Sequence, residues 1–99
     1  MSSAFQHPIA RIETLTQYRL RVWWRAGGQS VVDFSDDIAN GPVWEPLQDE
    51  RMFATVRLVD RGTVIQWPEP VWNGAPLLEV DADGLWHMAR EQNLPVAAE

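Results

Sequence analysis

The chain has 99 residues, of which 45% are apolar, and a formal net charge of −6 from 14 acidic residues against 8 basic ones, all arginine. This length suits one domain with one core over residues 1–99, and the negative charge opposes binding to nucleic acid phosphates or to anionic membranes. The absence of cysteine excludes thiol catalysis, disulfides and thiolate metal sites.

The N-terminal stretch "MSSAFQHPIA" has neither a basic start nor a continuous apolar run. No segment of the sequence approaches the roughly 18 apolar residues that suggest a membrane span. The sequence therefore predicts a cytoplasmic protein without a membrane anchor.

The first third of the chain has the alternation of β-strands. Pro8 to Thr14 predicts a short edge strand, and "YRLRVWWR" has a period of two. One face of this second strand carries Tyr18, Leu20, Val22 and Trp24, and the other carries Arg19, Arg21, Trp23 and Arg25. Because the glycines of "AGG" reach positive φ at low cost before "QSVVDF" resumes the pattern, residues 18–34 are predicted to form a β-hairpin.

A short helix is predicted next, in "SDDIANG". Ser35 is the expected N-cap, since its hydroxyl could accept a backbone hydrogen bond. Asp36 and Asp37 suit the positive end of a helix, and the pair at 40–41, Asn-Gly, is typical of a helix end.

The segment "GPVWEPLQDERMF" combines prolines with bulky apolar residues. Pro42 and Pro46 each lack a backbone donor and are expected to exclude a regular element. Its apolar side chains, which are predicted to lie across the core, are Val43, Trp44 and Leu47.

A second short turn and a second hairpin are predicted after this segment. Asp49 is the expected cap of "ERMF", which would carry Phe53 into the core. Strands at 54–59 and 63–67 are joined by the turn Asp-Arg-Gly at 60–62. Two prolines, at 68 and 70, are expected to end the pairing.

The last third predicts a short extended segment at 77–80 and then an amphipathic helix in "DADGLWHMAREQ". Its apolar face comprises Ala82, Leu85, Trp86, Met88 and Ala89, and its polar face comprises Asp83, His87, Arg90 and Glu91. Either Asp81 or Asp83 is the expected cap. The helix is predicted to stop near Asn93, leaving 93–99 as a frayed tail.

These elements predict an α+β domain: a small two-layer fold with two β-hairpins in a mostly antiparallel sheet and a C-terminal helix packed on it. The order of "YRLRVWW", "VVDFS", "GPVWEPLQDERMF", "TVIQWPE" and "LW" resembles the bacterial domain of unknown function 2442 family over roughly residues 8–92. The resemblance implies a small α+β fold without an established activity. It also implies occurrence beside small proteins in toxin-antitoxin-like arrangements, or fusion to a helix-turn-helix.

Candidate catalytic and metal-binding groups are isolated in the sequence. "DADG" at 81–84 begins like a calcium loop, but Leu85 and Gln92 stand where ligands are required. His7 and His87 lack partners at useful spacing. Three further acidic residues could in principle bind a cation, but acidic residues are also favoured at the positive end of a helix, which accounts for them here. They are Asp33, Asp36 and Asp37. The sequence predicts no catalytic residue, no metal site, no cofactor and therefore no enzyme.

The row Arg19, Arg21, Trp23 and Arg25 is the candidate partner contact. One interpretation is a solvent face in which arginine planes stack on the indole. A second is a protein-contact patch, because Trp and Arg often dominate interface energies. A third, single-stranded nucleic acid, is opposed by the surrounding negative charge.

The predicted function is a non-catalytic protein-interaction module. More specifically, the protein could be the antitoxin-like member of a toxin-antitoxin-type pair. The alternative is a regulatory domain that acts with a DNA-binding helix-turn-helix partner. The expected partner is another small protein, with a homo-oligomer left open, and no direct contact with nucleic acid or membrane is expected.

Overall fold

The computed structural model describes residues 7–67 and 78–97, and side chains up to Gln92. This part of the chain contains six strands in two antiparallel sheets. The first sheet has the order β1 (Ile9–Leu15), β2 (Arg19–Trp24) and β3 (Gln29–Asp33), and the second has the order β4 (Arg57–Val59), β5 (Val64–Trp67) and β6 (Leu78–Asp81). The predicted α+β class and both hairpins are confirmed, and the strands prove to be divided between two sheets.

Helical segments follow each of the two sheets. They are α1 (Ser35–Asn40), a 3₁₀ helix (Pro42–Gln48), α2 (Glu50–Phe53) and the C-terminal α3 (Ala82–Ala97). The first three lie between β3 and β4, and α3 directly follows β6 and contacts both β3 and β6. The C-terminal helix therefore bridges the two sheets.

The alternation along β2 places its apolar side chains in the core, as predicted. Leu20 and Val22 have no exposed area, and Trp24 is 9% exposed. The turn between β2 and β3 contains Gly27 and Gly28 at φ +117° and +84°, a conformation that costs glycine little. The period of two thus separates an inner face from an outer face of the first sheet.

The two sheets meet where the turn between β4 and β5 approaches the start of β1. Gly62 has φ +84°, and a Cβ atom there would overlap the carbonyl oxygen of Ile9. The Arg25 guanidinium donates to the Arg61 carbonyl in the same turn. Glycine at 62 therefore permits both the turn and the close approach of the sheets.

An aromatic cluster centred on Trp67 fills the core. Trp67 has no exposed area, and its ring centroid lies 5.7 Å from that of Phe34 and 5.8 Å from those of Trp44 and Phe53. Its Nε1 donates to the Phe53 carbonyl oxygen at 2.9 Å. The indole therefore joins β5 to α2 through packing and through a satisfied buried hydrogen bond.

The proline-containing middle segment is regular, so the prediction that Pro42 and Pro46 exclude an element is wrong. Both lie in the 3₁₀ helix, where Pro42 is at the first position and needs no donor. The predicted burial is confirmed for Leu47, which has no exposed area, and Trp44 is half-buried against the core. Val43 is 59% exposed, so its predicted inward orientation is wrong.

The predicted cap of α1 is wrong, whereas that of α2 is confirmed. Phe34 occupies the N-cap position of α1, and Asp33 Oδ1 accepts from the Ser35 backbone N–H at 2.8 Å. Asp49 caps α2 by accepting from the backbone N–H of Arg51. Because α2 continues into a turn at 54–55, the predicted strand at 54–59 is shorter and begins only at β4.

The C-terminal helix has the predicted inner face and a longer course. Ala82, Leu85 and Ala89 are buried, and Asp81 supplies the cap by accepting from Gly84 N–H at 2.6 Å. The helix continues to Ala97, past the proline at 95, instead of stopping near Asn93. The predicted end of pairing at 68 and 70 lies outside the described residues.

Candidate protein-contact surface

The outer face of the first sheet brings three of the four predicted contact residues together. Strand pairing aligns its side chains in three cross-strand rows, which are Arg11, Trp23 and Gln29; Glu13, Arg21 and Val31; and Leu15, Arg19 and Asp33. We call these nine residues the Arg-Trp face. It holds three arginines and two carboxylates, a slightly positive balance on a chain of net charge −6.

Trp23 lies between two arginines on this face. The guanidinium carbon of Arg11 is 4.5 Å from the Trp23 ring centroid, and that of Arg21 is 5.8 Å away. Both separations are within the range of cation–π attraction, which contributes about 0.5–1 kcal/mol at exposed sites. Since Trp23 is only half-buried, these contacts hold a large indole in a fixed position at the surface.

Arg21 is held by neighbours on both adjacent strands. Its Nε lies 3.5 Å from Glu13 Oε1, with the two side chains 35% and 49% exposed, and its Nη1 donates to Gln29 Oε1 at 2.8 Å. A pair this exposed adds at most about 1 kcal/mol to stability. The contacts therefore position the guanidinium beside Trp23 more than they stabilise the sheet.

Arg19 has no carboxylate partner within ion-pair distance among the described residues, and the same is true of Arg11, whose guanidinium lies over Trp23. The Arg19 Nε donates to the Thr16 carbonyl oxygen at 3.0 Å, and its Nη2 lies 3.4 Å from Thr16 Oγ1. These contacts to the β1–β2 turn fix the guanidinium plane. Its positive charge consequently remains available to a binding partner.

Arg25, predicted to belong to the same row, lies one residue beyond the end of β2. Its guanidinium donates to the Arg61 carbonyl at the junction of the sheets. The structure thus places Arg25 in a structural contact, apart from Arg19, Arg21 and Trp23. Arg11 takes a place beside Trp23 that sequence reasoning missed, because that neighbour is set by the β1–β2 register.

An open cleft of about 610 Å³ adjoins the Arg-Trp face. Its floor includes Leu15, Arg19, Arg21 and Val31 of that face, and α2 contributes Glu50 and Phe53, with Ala54 beyond it. Two threonines of the β1 end, Thr14 and Thr16, complete the lining. Apolar and positively charged groups are therefore adjacent in one concave surface.

A second aromatic-basic cluster lies on α3. The His7 ring stacks on Trp86 with centroids 3.8 Å apart and planes 5° from parallel, and the Arg90 guanidinium carbon is 4.8 Å from the Trp86 ring. Because residues four apart are neighbours on a helix surface, the sequence could have predicted the contact between Trp86 and Arg90. The contact of His7 with Trp86 joins distant parts of the chain and could not have been predicted in this way. The His7 backbone N–H also donates to Asp83 Oδ1 at 3.0 Å.

Groups suited to metal binding or proton transfer are scattered. Within 7–67 and 78–97, no group of three or more His, Asp or Glu side chains could hold a metal ion. The Arg51 guanidinium, hydrogen-bonded to Asp49, holds the pKa of that exposed carboxyl below its ordinary value of 3.8. This shift belongs to a helix cap, which is a structural role.

The geometry defines a small α+β domain with an exposed arginine-tryptophan surface. None of the helices described here is long and apolar enough to cross a membrane. No family model and no curated protein matches the chain.

Among solved structures, the chain is similar to the "Putative DNA Binding Protein NE0471" from Nitrosomonas europaea ATCC 19718. The TM-score is 0.68 at 27% sequence identity, and the match covers 93% of this chain and 54% of that one. The chain therefore spans about half the length of that protein. The similarity extends over almost all of the 99 residues.

Proposed function

We propose that this protein is a non-catalytic interaction module that binds another small protein through the Arg-Trp face. The observation that carries the proposal is the half-buried Trp23, held between Arg11 and Arg21 on an outer sheet face. Tryptophan and arginine are the side chains that most often dominate binding energy at protein interfaces.

The rigidity of this surface supports the same proposal. The guanidinium groups of Arg19 and Arg21 are each held by contacts within the sheet or its turn. Immobilising a flexible side chain on binding costs about 0.5–1.5 kcal/mol, and this cost is reduced where the side chain is already fixed. The finer proposal is an antitoxin-like role, in which this chain binds and neutralises a small toxin-like partner protein.

The second candidate is a regulatory domain that acts with a DNA-binding helix-turn-helix partner. The similarity to NE0471, a protein named for DNA binding, favours it. Direct phosphate contact is opposed by the net charge of −6, so DNA would be reached through the partner. The sequence resembles the domain of unknown function 2442 family, and we propose that the chain is a member of it. The structural similarity to NE0471 is compatible with this proposal.

A matched pair of tryptophan variants tests the interaction role. Trp23→Ala removes the indole of the Arg-Trp face, and Trp86→Ala removes another half-buried indole with an arginine above it, on α3. Tagged wild-type and variant proteins are used to recover partners from host extract, and thermal unfolding is measured for each. Trp23→Ala is expected to lose the partner that wild type and Trp86→Ala both retain.

The outcomes separate the candidates. A recovered helix-turn-helix protein, together with no binding of the domain alone to labelled duplex DNA at low salt, supports the regulatory role. A recovered small protein whose growth inhibition is relieved by co-expression supports the antitoxin-like role. Equal recovery of every partner by Trp23→Ala and wild type contradicts the proposed surface, and a large loss of thermal stability in Trp23→Ala assigns the indole to the core.

A further inference from the structure

We propose that the cleft beside the Arg-Trp face binds an extended acidic segment of the partner protein, with one Asp or Glu carboxylate at Arg19. This inference rests on the proposed interaction role and specifies the chemistry of the partner. It depends on three properties of the cleft: a fixed arginine without a carboxylate, an adjoining apolar floor, and one acid in the lining.

Arg19 is the group that selects a carboxylate. Its Nε and Nη2 atoms are used by Thr16, at 3.0 and 3.4 Å, whereas Nη1 makes no hydrogen bond within the described part of the chain. The neighbouring Arg21 is already engaged by Glu13 and Gln29. A guanidinium that is held in place and not neutralised is suited to a charge-assisted hydrogen bond.

The apolar floor indicates what accompanies the carboxylate. Leu15 and Val31 are half-buried and lie on either side of the β2 arginines, and Phe53 and Ala54 line the cleft from the α2 side. Apolar side chains of a ligand would remove these surfaces from water. The fitting sequence is therefore an acidic residue next to aliphatic residues in extended conformation.

Glu50 and the size of the cleft limit the ligand further. Because Glu50 is part of the lining, a doubly charged phosphate would meet about twice the Coulomb repulsion from it that a single carboxylate meets at the same distance. The volume of about 610 Å³ lies within the range of roughly 300–1,000 Å³ of ligand sites. It can accommodate a short peptide segment and is too small for a folded domain.

Fluorescence anisotropy with labelled octapeptides tests the inference on the full chain. The probe carries one glutamate flanked by leucines, and its two comparison peptides replace the glutamate by glutamine or by phosphoserine. Wild type is expected to bind the glutamate peptide at least about tenfold more tightly than the glutamine peptide, as a charged hydrogen bond implies. Arg19→Gln is expected to abolish this preference, and Arg57→Gln, at an exposed position on β4, to retain it.

A second variant keeps the test decisive if Arg19→Gln fails to fold. Ala54→Glu adds a carboxylate to the cleft at an exposed position and leaves the Thr16 contacts of Arg19 in place. It is expected to weaken binding of the glutamate peptide at least about fivefold. Equal binding of the glutamate and glutamine peptides, no binding of either, or tighter binding of phosphoserine would overturn the inference.

Failure of this inference can be distinguished from failure of the proposed function. If Trp23→Ala loses the recovered partner while Arg19→Gln and Ala54→Glu retain it, the Arg-Trp face is an interface and the cleft is not its acidic-segment site. If all three variants retain the partner, both proposals are wrong. Loss of the partner with all three, and with the thermal midpoint unchanged, supports both.

Discussion

Replacing Gly62 by alanine is the sharpest test of how the two sheets are joined. The residue has φ +84°, and its added Cβ would overlap the carbonyl oxygen of Ile9 and lie 2.8 Å from Nη2 of Arg25. The carbonyl belongs to backbone at the start of β1 and cannot rotate aside. Gly62→Ala therefore requires the turn and the first sheet to separate.

Gly28→Ala is the matched control because that glycine has the same φ of +84° with nothing within 4 Å of the added Cβ. A left-handed conformation costs a non-glycine residue about 1–2 kcal/mol, and this cost applies to both variants. The overlap applies only to Gly62→Ala, for which we expect a total loss of at least about 3 kcal/mol, in the range of severe backbone and packing defects.

Urea and thermal unfolding followed by tryptophan fluorescence measure the difference. For a domain of this size, 1 kcal/mol corresponds to a shift of about 4–8 °C in the thermal midpoint. The excess of Gly62→Ala over Gly28→Ala, at least about 1–2 kcal/mol, should lower the midpoint by a further 4 °C or more. Equal losses in the two variants would refute the close approach of the turn to β1.

Three further variants test the core, the sheet edge and a helix cap. Trp44→Ala is expected to lower the free energy of unfolding by about 2–3 kcal/mol, which is less than for a fully buried tryptophan because Trp44 is half-buried. A loss below about 1 kcal/mol in urea unfolding would contradict the packing of Trp44 on the aromatic cluster. Gln92→Ala removes two hydrogen bonds, at 2.8 and 2.9 Å, to the backbone of Asp33 on edge strand β3. It should cost about 1–2 kcal/mol and increase self-association in sedimentation experiments, whereas an unchanged monomer of unchanged stability contradicts a protective role. The Arg51 guanidinium lowers the folded-state pKa of Asp49, so the stability from this pair is present above pH 3.8 and is lost as the pH falls through the depressed pKa. Asp49→Asn should remove this part of the acid dependence, and NMR titration of the Asp49 carboxyl that shows no lowering of its pKa would contradict the contact.

Local periodicity was sufficient to predict the elements with the strongest patterns. The alternation in β2 separated Leu20 and Val22 from Arg21 and Trp23, because successive side chains of a strand point to opposite faces. The helical period of α3 likewise identified its inner face. Both predictions depend only on the geometry of a single element, which is why they were confirmed.

Features that depend on distant partners could not be predicted in the same way. The division of six strands into two sheets, and the position of Gly62 against Ile9, result from pairing and packing across the chain. The 3₁₀ helix at 42–48 does not follow from the sequence pattern, because the missing backbone donor of each proline predicts an interruption there. In a short helix, a proline at the first position loses no hydrogen bond and has a suitable φ.

The candidate site shows the same limit in its individual side chains. The alternation predicted one row of Arg19, Arg21, Trp23 and Arg25, yet these arginines have three different environments. Arg25 donates to the sheet junction, Arg21 pairs with a carboxylate, and Arg19 keeps its charge unpaired among the described residues. A period of two specifies a face, and strand register decides which charges on that face are neutralised.

Strand register therefore also decides which charges of this acidic domain can attract a partner. Arg21 opposes Glu13 on β1, and their opposite charges largely cancel at a distance. Arg19 opposes Leu15 on one side and Asp33 on the other, and the Asp33 carboxylate is engaged by the Ser35 backbone N–H at the start of α1. Asp33 thus accepts a structural hydrogen bond from the backbone at the start of α1, and no ion pair joins it to Arg19 among the described residues. The Arg19 guanidinium consequently keeps a donor that no described residue uses at the proposed interface.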